Sequence, residues 1–313
     1  MNKKIISAAL ATFLLGGVFA FSQFTEQKEL PETKTAENVV EKVQEPVKNA
    51  NKIAVAEAAE EDLFAGTEGA IYSILNDGSE YSVYLAYPQK SQTPFIYNSK
   101  KIRSASMIKV FILATAMEMV KDGTLSLDQQ MTLDAYNKVG GAGIMVGYAT
   151  GSTFPMREVL RNMIIHSDNT ATNMMIDLLG MGTINDYIQE KGYTDTVLQR
   201  KMMDFNGREN YTSARDLGNF FLNLYNLKVV NSTYDQLMLE ILKDQHDTEC
   251  LNTACPDKVI AHKTGALAGN FSDGGIIYGG KNGDTILIMM GENITGEKIV
   301  IGRMKKFAQH IIY

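Results

Sequence analysis

The sequence predicts an α/β (α+β) fold in two lobes: one antiparallel sheet built from strands at both ends of the domain and flanked by helices, plus an all-helical lobe between them. Three observations carry this. β-branched and aromatic runs occur at the start of the domain (Gly69–Leu75, Tyr81–Tyr87) and again near its end (Val259–His262, Gly275–Tyr278, Thr285–Met290). Everything between about residues 104 and 247 reads as helix or loop. An isolated hairpin is marginal in water, so the two sets of strands must find each other.

In chain order, the N-terminus comes first. Lys3-Lys4 precedes a continuous apolar run of about 17 residues, Ile5 to Phe21, with Val18-Phe-Ala20 as a small-residue cleavage site, so residues 1–20 are expected to be an export signal or an uncleaved membrane anchor. No cysteine follows the run, which removes the lipoprotein option. Residues 21–61 alternate Glu, Lys, Thr, Pro, Ala and Val with little to bury and read as a polar tether. The expected location is secreted or extracytoplasmic, in a bacterial cell envelope, with a folded domain at 62–313.

Within that domain, Asn76-Asp77-Gly78 joins the first two apolar runs as a hairpin turn, and Pro94–Tyr97 adds a short edge. Ser104 to Val120 is apolar on nearly every face and is stopped by Lys121-Asp122-Gly123, the pattern of a helix inside a core. Pro155–Ile165 and Thr170–Leu179, the latter halted by Gly180, follow as helices, and Thr212–Asp216 opens a third with a capping-box pattern. Lys281-Asn282-Gly283-Asp284 connects the last two strands, and the chain closes with a helix from about Glu297 to Ile312.

Composition bounds the function. The 313 residues are 45% hydrophobic and 21% charged, with net charge −6 and no basic cluster, which argues against nucleic-acid binding. A monomer is expected, with no cofactor and no metal: the four histidines, His166, His246, His262 and His310, show no ligand spacing. Cys250 and Cys255, in a loop-like stretch of an exported chain, are expected to form a local disulfide.

Two polar residues interrupt the buried helix. Ser106 and Lys109, three apart, share a helix face. An ammonium in apolar surroundings is pushed toward its neutral form, and a neutral amine can take the proton of a serine hydroxyl, making Ser106 a nucleophile at a helix N-terminus. Alone, the stretch also fits an N-cap serine followed by a snorkelling lysine. Two further motifs follow, Ser167-Asp168-Asn169 and Lys263-Thr264-Gly265; each is expected by chance in about one sequence in twenty of this length. Singly, the first could cap a helix and the second could end a strand, but all three occurring once and in this order is improbable by chance.

In order and separation, Ser106-x-x-Lys109, Ser167-Asp168-Asn169 and Lys263-Thr264-Gly265 resemble the active-site motifs of class A β-lactamases and penicillin-binding proteins. The likeness extends through the residues after Asn169 and through Asn210-Tyr-Thr-Ser, and covers about residues 64 to 313. It implies a β-lactamase-like two-lobe fold and a serine hydrolase working through an acyl-enzyme, with a β-lactam or a peptidoglycan stem peptide as small-molecule substrate. By motif, Ser106 is the acylated nucleophile, Lys109 its activating partner, and Ser167 the relay to the leaving nitrogen. Asn169 holds Lys109 and the substrate's side-chain amide, Lys263 and Thr264 of Lys263-Thr264-Gly265 bind the substrate carboxylate, and the backbone near Ala266 with that of Ser106 forms the oxyanion hole. His166 and His262 have no role in the scheme.

One departure stands out. Class A β-lactamases place a glutamate two residues after an arginine in their omega loop, to activate the deacylating water, whereas Arg200-Lys201-Met202 has methionine there, in a shortened loop. Asp204 and Glu209 are the nearby carboxylates. Three readings follow: a β-lactamase-like hydrolase with slow deacylation, a D-alanyl-D-alanine carboxypeptidase or related peptidoglycan hydrolase, and a penicillin-binding sensor that does not turn over. The absence of Gly-x-Ser-x-Gly argues against an α/β-hydrolase.

Overall fold

A computed structural model describes residues 63–205, 207–294 and 296–313. The expected export signal (1–20) and the whole of the tether (21–61) lie outside the described residues. Among the described residues no helix is long and apolar enough to cross a membrane.

The chain begins with helix α1 (Thr67–Ile74) and strands β1 (Glu80–Ala86), β2 (Phe95–Tyr97) and β3 (Ile102–Arg103). A short 3-10 turn, Ala105–Ile108, leads into α2 (Lys109–Lys121), followed by β4 (Gln130–Thr132) and β5 (Thr153–Pro155). Helices α3 (Met156–Ile165), α4 (Asn169–Leu179) and α5 (Met181–Glu190) come next, then β6 (Tyr211–Thr212), α6 (Ala214–Tyr225), α7 (Ser232–Lys243) and α8 (Leu251–Ala254). Strands β7 (Ile260–Leu267), β8 (Asn270–Gly280) and β9 (Gly283–Glu292) precede the final helix α9 (Glu297–Ile312).

The main sheet has the order β2-β1-β9-β8-β7 and is antiparallel throughout, so strands from both ends of the domain do pair: Val83 faces Met289 and Leu85 faces Leu287. Alternation sorts its side chains into two cores. Tyr84, Ala86, Ile286, Ile288 and Met290 join α2, α3, α4 and α6, while Val83, Leu85, Leu287 and Met289 pack on α1, α8 and α9. α9 contributes Val300, Met304, Phe307 and Ile311 to the second core, each worth about 1.5–3 kcal/mol on full burial.

Local chemistry explains the helix ends. Asp168 caps α4 by accepting from Ala171 N at 2.8 Å, and Gly180 ends it at φ 80°; Ser213 caps α6 by accepting from Asp216 N at 3.2 Å.

Three expectations are corrected. The stretch between about residues 104 and 247, read as helix or loop, also holds strands β4, β5 and β6, the first two paired with each other and the third with β3. Gly69–Leu75 lies in and just after helix α1 and forms no hairpin strand; Asn76-Asp77-Gly78 is a helix-to-strand turn. The buried residues Thr67, Ala70, Ile71 and Leu75 recur at helical spacing, and the helix docks on α9, where Arg303 donates to Ile74 O at 3.0 Å. That packing outweighs the local β tendency of Ile71 and Tyr72. Cys250 and Cys255 are free, buried thiols rather than a disulfide. They stand at the two ends of the single helical turn α8, and no bond joins them.

Candidate active site

The predicted nucleophile lies on the turn entering α2. Ala105 sits at φ 45°, a left-handed conformation rare for a side chain, and Met107 N closes the turn on Ser104 O at 3.0 Å. Ser106 is half-buried and faces a cavity, while Lys109 is fully buried, 0% exposed. Its Nζ donates to Ser167 O (2.7 Å), Asn169 Oδ1 (2.9 Å) and Ser167 Oγ (3.2 Å). Burial, and then the like charge of Lys263, pull the Lys109 amine well below the usual lysine range, with Asp168 opposing.

The second motif is the hinge between α3 and α4. Ser167 adopts φ 50°, which aims its hydroxyl at both lysines. Asp168 points away from the cavity and accepts from Ile144 N (2.6 Å) and Met145 N (2.7 Å), pinning the 140–145 loop beside the site. Gly143 lets that loop pass: at φ 101° it lies so near that a Cβ would fall 2.2 Å from Asp168 Cγ. Asn169 Nδ2 donates to Gly140 O at 3.0 Å, which orients its carbonyl toward Lys109.

The third motif is on β7, the sheet's edge strand. Lys263 is fully buried and donates to Ser167 Oγ at 3.0 Å and to Thr264 O at 2.8 Å; burial lowers it to about 8, against the opposing pull of Asp247 and then Asp273. Gly265 allows the strand to approach the nucleophile turn, since a Cβ there would lie 3.1 Å from both Ser104 O and Met107 Cγ. Ala266 is exposed on the cavity wall. All eight predicted site residues thus meet at one place. His262 projects from the opposite face of β7 and bonds Asp273 Oδ1 through Nδ1 at 2.7 Å, and His166 stacks edge-on against His246 at 4.5 Å.

The cavity holds about 280 Å³. Ser106, Ser167 and Asn169 form one wall, Thr264 to Leu267 another, and Met202, Met203 and Phe205 a third. The third wall is the short loop after Arg200. Arg200 bonds Glu209 at 2.9 Å, Asn210 Oδ1 accepts from Gln199 N and Arg200 N, and Asn173 clamps both backbone groups of Met202. Glu209 is therefore occupied by Arg200, and Asp204 is exposed outside the lining. Among the described residues, Asp247 is the carboxylate that lines this cavity, and its Oδ2 accepts from Thr264 Oγ1 at 2.6 Å. No cluster of His, Cys, Asp and Glu among the described residues has the form of a metal site.

A family model, "Beta-lactamase enzyme family", matches residues 68–311. The chain belongs to the beta-lactamase enzyme family. Within it, the chain is 25% identical over 185 residues to the extended-spectrum beta-lactamase PER-1 of Pseudomonas aeruginosa, covering 55% of this chain and 60% of that protein. It is 28% identical over 166 residues to beta-lactamase AER-1 of Aeromonas hydrophila, covering 50% and 55%. The matched region thus spans less than two thirds of these curated relatives.

Among solved structures, a beta-lactamase from Sphaerobacter thermophilus DSM 20745 superposes with TM-score 0.72 at 25% identity, covering 78% of this chain and 96% of that one. A PBP-A mutant solved as an acyl-enzyme complex with penicillin G matches at TM-score 0.72 and 25% identity, covering 79% and 94%.

The motif reading named side chains that the fold brings together but passed over the residues that hold them. Asn173 sits one helical turn beyond Asn169, a spacing visible in the sequence. Asp247 and Gly143 carry no local signal, because their partners are 17 and 25 residues away.

Proposed function

We propose that the domain is a serine hydrolase that opens the amide of a β-lactam through an acyl-enzyme on Ser106, and that it deacylates slowly. The observation that carries this is the fully buried Lys109 amine, one helical turn from Ser106 and lowered by burial. As a neutral amine, Lys109 donates to the carbonyls of Ser167 and Asn169 and keeps a lone pair for the Ser106 proton. Ser106 Oγ then bonds the carbonyl carbon, with the developing oxyanion held by the backbone N–H groups of Ser106 and Ala266. Having taken the Ser106 proton, Lys109 has a third N–H for Ser167 Oγ, which accepts from Lys263 as well; as the C–N bond breaks, Ser167 passes its own hydrogen to the departing nitrogen and takes the proton held on Lys109 in its place. The penicillin acyl-enzyme of the PBP-A mutant, a protein of similar fold, supports the acylation half.

Slow deacylation rests on the third wall. Met202 puts a thioether where the family resemblance calls for a carboxylate, and Glu209 is engaged by Arg200. The same observation favours a second reading, a D-alanyl-D-alanine carboxypeptidase or related peptidoglycan hydrolase, which uses these motifs without that glutamate. The export reading of residues 1–61 puts either activity outside the cytoplasm.

The test is threefold. Turnover of a chromogenic cephalosporin supports a β-lactamase, stoichiometric labelling by a fluorescent penicillin without turnover supports a slow acyl-enzyme, and release of D-alanine from a peptide ending in D-Ala-D-Ala supports the carboxypeptidase. Absence of all three would reject the proposal.

A further inference from the structure

We propose that Met203 is an oxidation site. A peroxide turns its thioether into a sulfoxide, and the oxygen so gained competes with a substrate's side-chain carbonyl for an amide hydrogen of Asn169. The site follows from geometry; its effect on the reaction rests on the Ser106 acyl-enzyme reading.

Exposure singles this residue out. Among the described residues Met203 is the exposed methionine, at 40%, while the others are buried or half-buried. Met202 beside it is only 6% exposed, with both backbone groups clamped by Asn173. Thioether oxidation follows access, so dilute peroxide reaches Met203 first.

Position gives the oxidation a consequence. Met203 lines the cavity and its sulfur lies against the 140–145 loop: a Cβ on Gly141 would fall 2.9 Å from Met203 Sδ and 2.8 Å from Asn169 Nδ2. Thioether and amide thus converge on one side of Gly141. Asn169 Nδ2 carries two hydrogens; one goes to Gly140 O at 3.0 Å, and the motif gives the other to the substrate's side-chain amide. A thioether sulfur accepts weakly and leaves that hydrogen to the substrate, whereas a sulfoxide oxygen accepts well. In the oxidation itself the sulfur lone pair attacks one oxygen of hydrogen peroxide. An S–O bond forms as the O–O bond breaks, the sulfur is oxidised, and the peroxide is reduced and leaves as water. A dithiol reverses the change, taking the oxygen off as water and becoming a disulfide.

The experiment treats the full chain and its Met203→Leu variant with dilute hydrogen peroxide and maps the oxidised methionines by peptide mass. It then measures the second-order rate of adduct formation on Ser106 for benzylpenicillin, which carries a side-chain amide, and for 6-aminopenicillanic acid, which does not. The ratio of the two rates is the readout, because it is insensitive to the fraction of folded protein. Met203 should gain one oxygen before any other methionine of residues 63–313. Oxidation should then lower the ratio of benzylpenicillin to 6-aminopenicillanic acid by about 2–10-fold, the loss of one hydrogen bond. Methionine sulfoxide reductase with a dithiol should restore it, and in Met203→Leu the same treatment should leave the ratio where it stood. If another methionine is oxidised first, if Met203 is oxidised without moving the ratio, or if the ratio moves equally in Met203→Leu, this inference is overturned while the acyl-enzyme reading stands. If neither penicillin labels Ser106 before treatment, the acyl-enzyme reading fails and takes the effect on the reaction with it, and the peptide map alone decides the oxidation site.

Discussion

Lys109 Nζ donates to Asn169 Oδ1 across 2.9 Å, joining the first residue of α2 to the first residue of α4. Two helix starts that are 60 residues apart in the chain are thereby tied at one buried amine. Replacing Lys109 by Met keeps the length and removes the lone pair that would accept the Ser106 proton. Acylation by penicillin should fall by about 10²–10⁴-fold while the fold persists, since exchanging a buried amine for an apolar chain leaves no stranded charge. Stopped-flow labelling together with circular dichroism checks both halves.

Restoring a carboxylate on the third wall should speed deacylation. Met202→Glu is expected to shorten the lifetime of the penicillin adduct by at least about tenfold, toward the 10²–10⁴-fold range of general-base catalysis. It should also lower stability, because Met202 is buried and its backbone is clamped by Asn173. Asp204→Asn and Glu209→Gln are the controls: if either traps the adduct in the unmodified loop, that residue is the base and Met202 is not the reason for slow turnover. Adduct decay followed by mass spectrometry decides.

Gly143→Ala should be strongly destabilising. The residue lies at φ 101°, and an added Cβ would meet the Asp168 side chain and backbone within 2.4 Å. A loss of about 3 kcal/mol, some 6–12 °C in Tm for a domain of this size, is expected. Calorimetry measures it; a Tm within about 2 °C of the unmodified domain would contradict the packing described.

The pH dependence of stability follows from the buried lysines and tyrosines. Lys263 is held at about 8 and Lys109 is lowered too, both first by burial, so the folded state binds fewer protons than the unfolded chain up to the ordinary lysine value near 10.4. The lysines by themselves make stability rise with pH from about 8 to about 10, but the thiols of Cys250 and Cys255, raised by burial while unfolded thiols ionise near 8.5, act in the opposite sense above that value. Above about pH 10 stability falls, because burial raises Tyr193 and Tyr278 to about 12 while unfolded phenols ionise near 10. Lys263→Met should make the slope of Tm against pH between about 8 and 10 less positive than in the unmodified domain. An unchanged slope in that variant would contradict this assignment.

With both thiols free and raised by burial, Cys255 to about 11, reductant should leave Tm unchanged. A drop of several degrees in dithiothreitol would reveal a bond between them.

How far the sequence foretold the molecule depends on the range of the interaction involved. Helices with their own punctuation, such as α4 between Asp168 and Gly180, were legible because cap and stop lie in the same segment. The motif residues were legible because Ser106 and Lys109 share one turn and the other two motifs are contiguous. Gly69–Leu75 misled, since Ile71 and Tyr72 favour strand locally while the helical spacing of Ala70, Ile71 and Leu75 has meaning only once α9 is there to pack against. Asp247 stayed hidden for the same reason: nothing in Gln245-His-Asp247 announces that strand β7 will bring Thr264 within 2.6 Å.

The central claim, that Ser106 is acylated with the help of Lys109, is tested most directly by intact-mass analysis after brief exposure to benzylpenicillin. One adduct per chain, mapped to Ser106, persisting for minutes, absent in Ser106→Ala and nearly absent in Lys109→Met, is the predicted result. An adduct that survives Ser106→Ala, or a domain that stays unlabelled at millimolar penicillin while remaining folded, would contradict it.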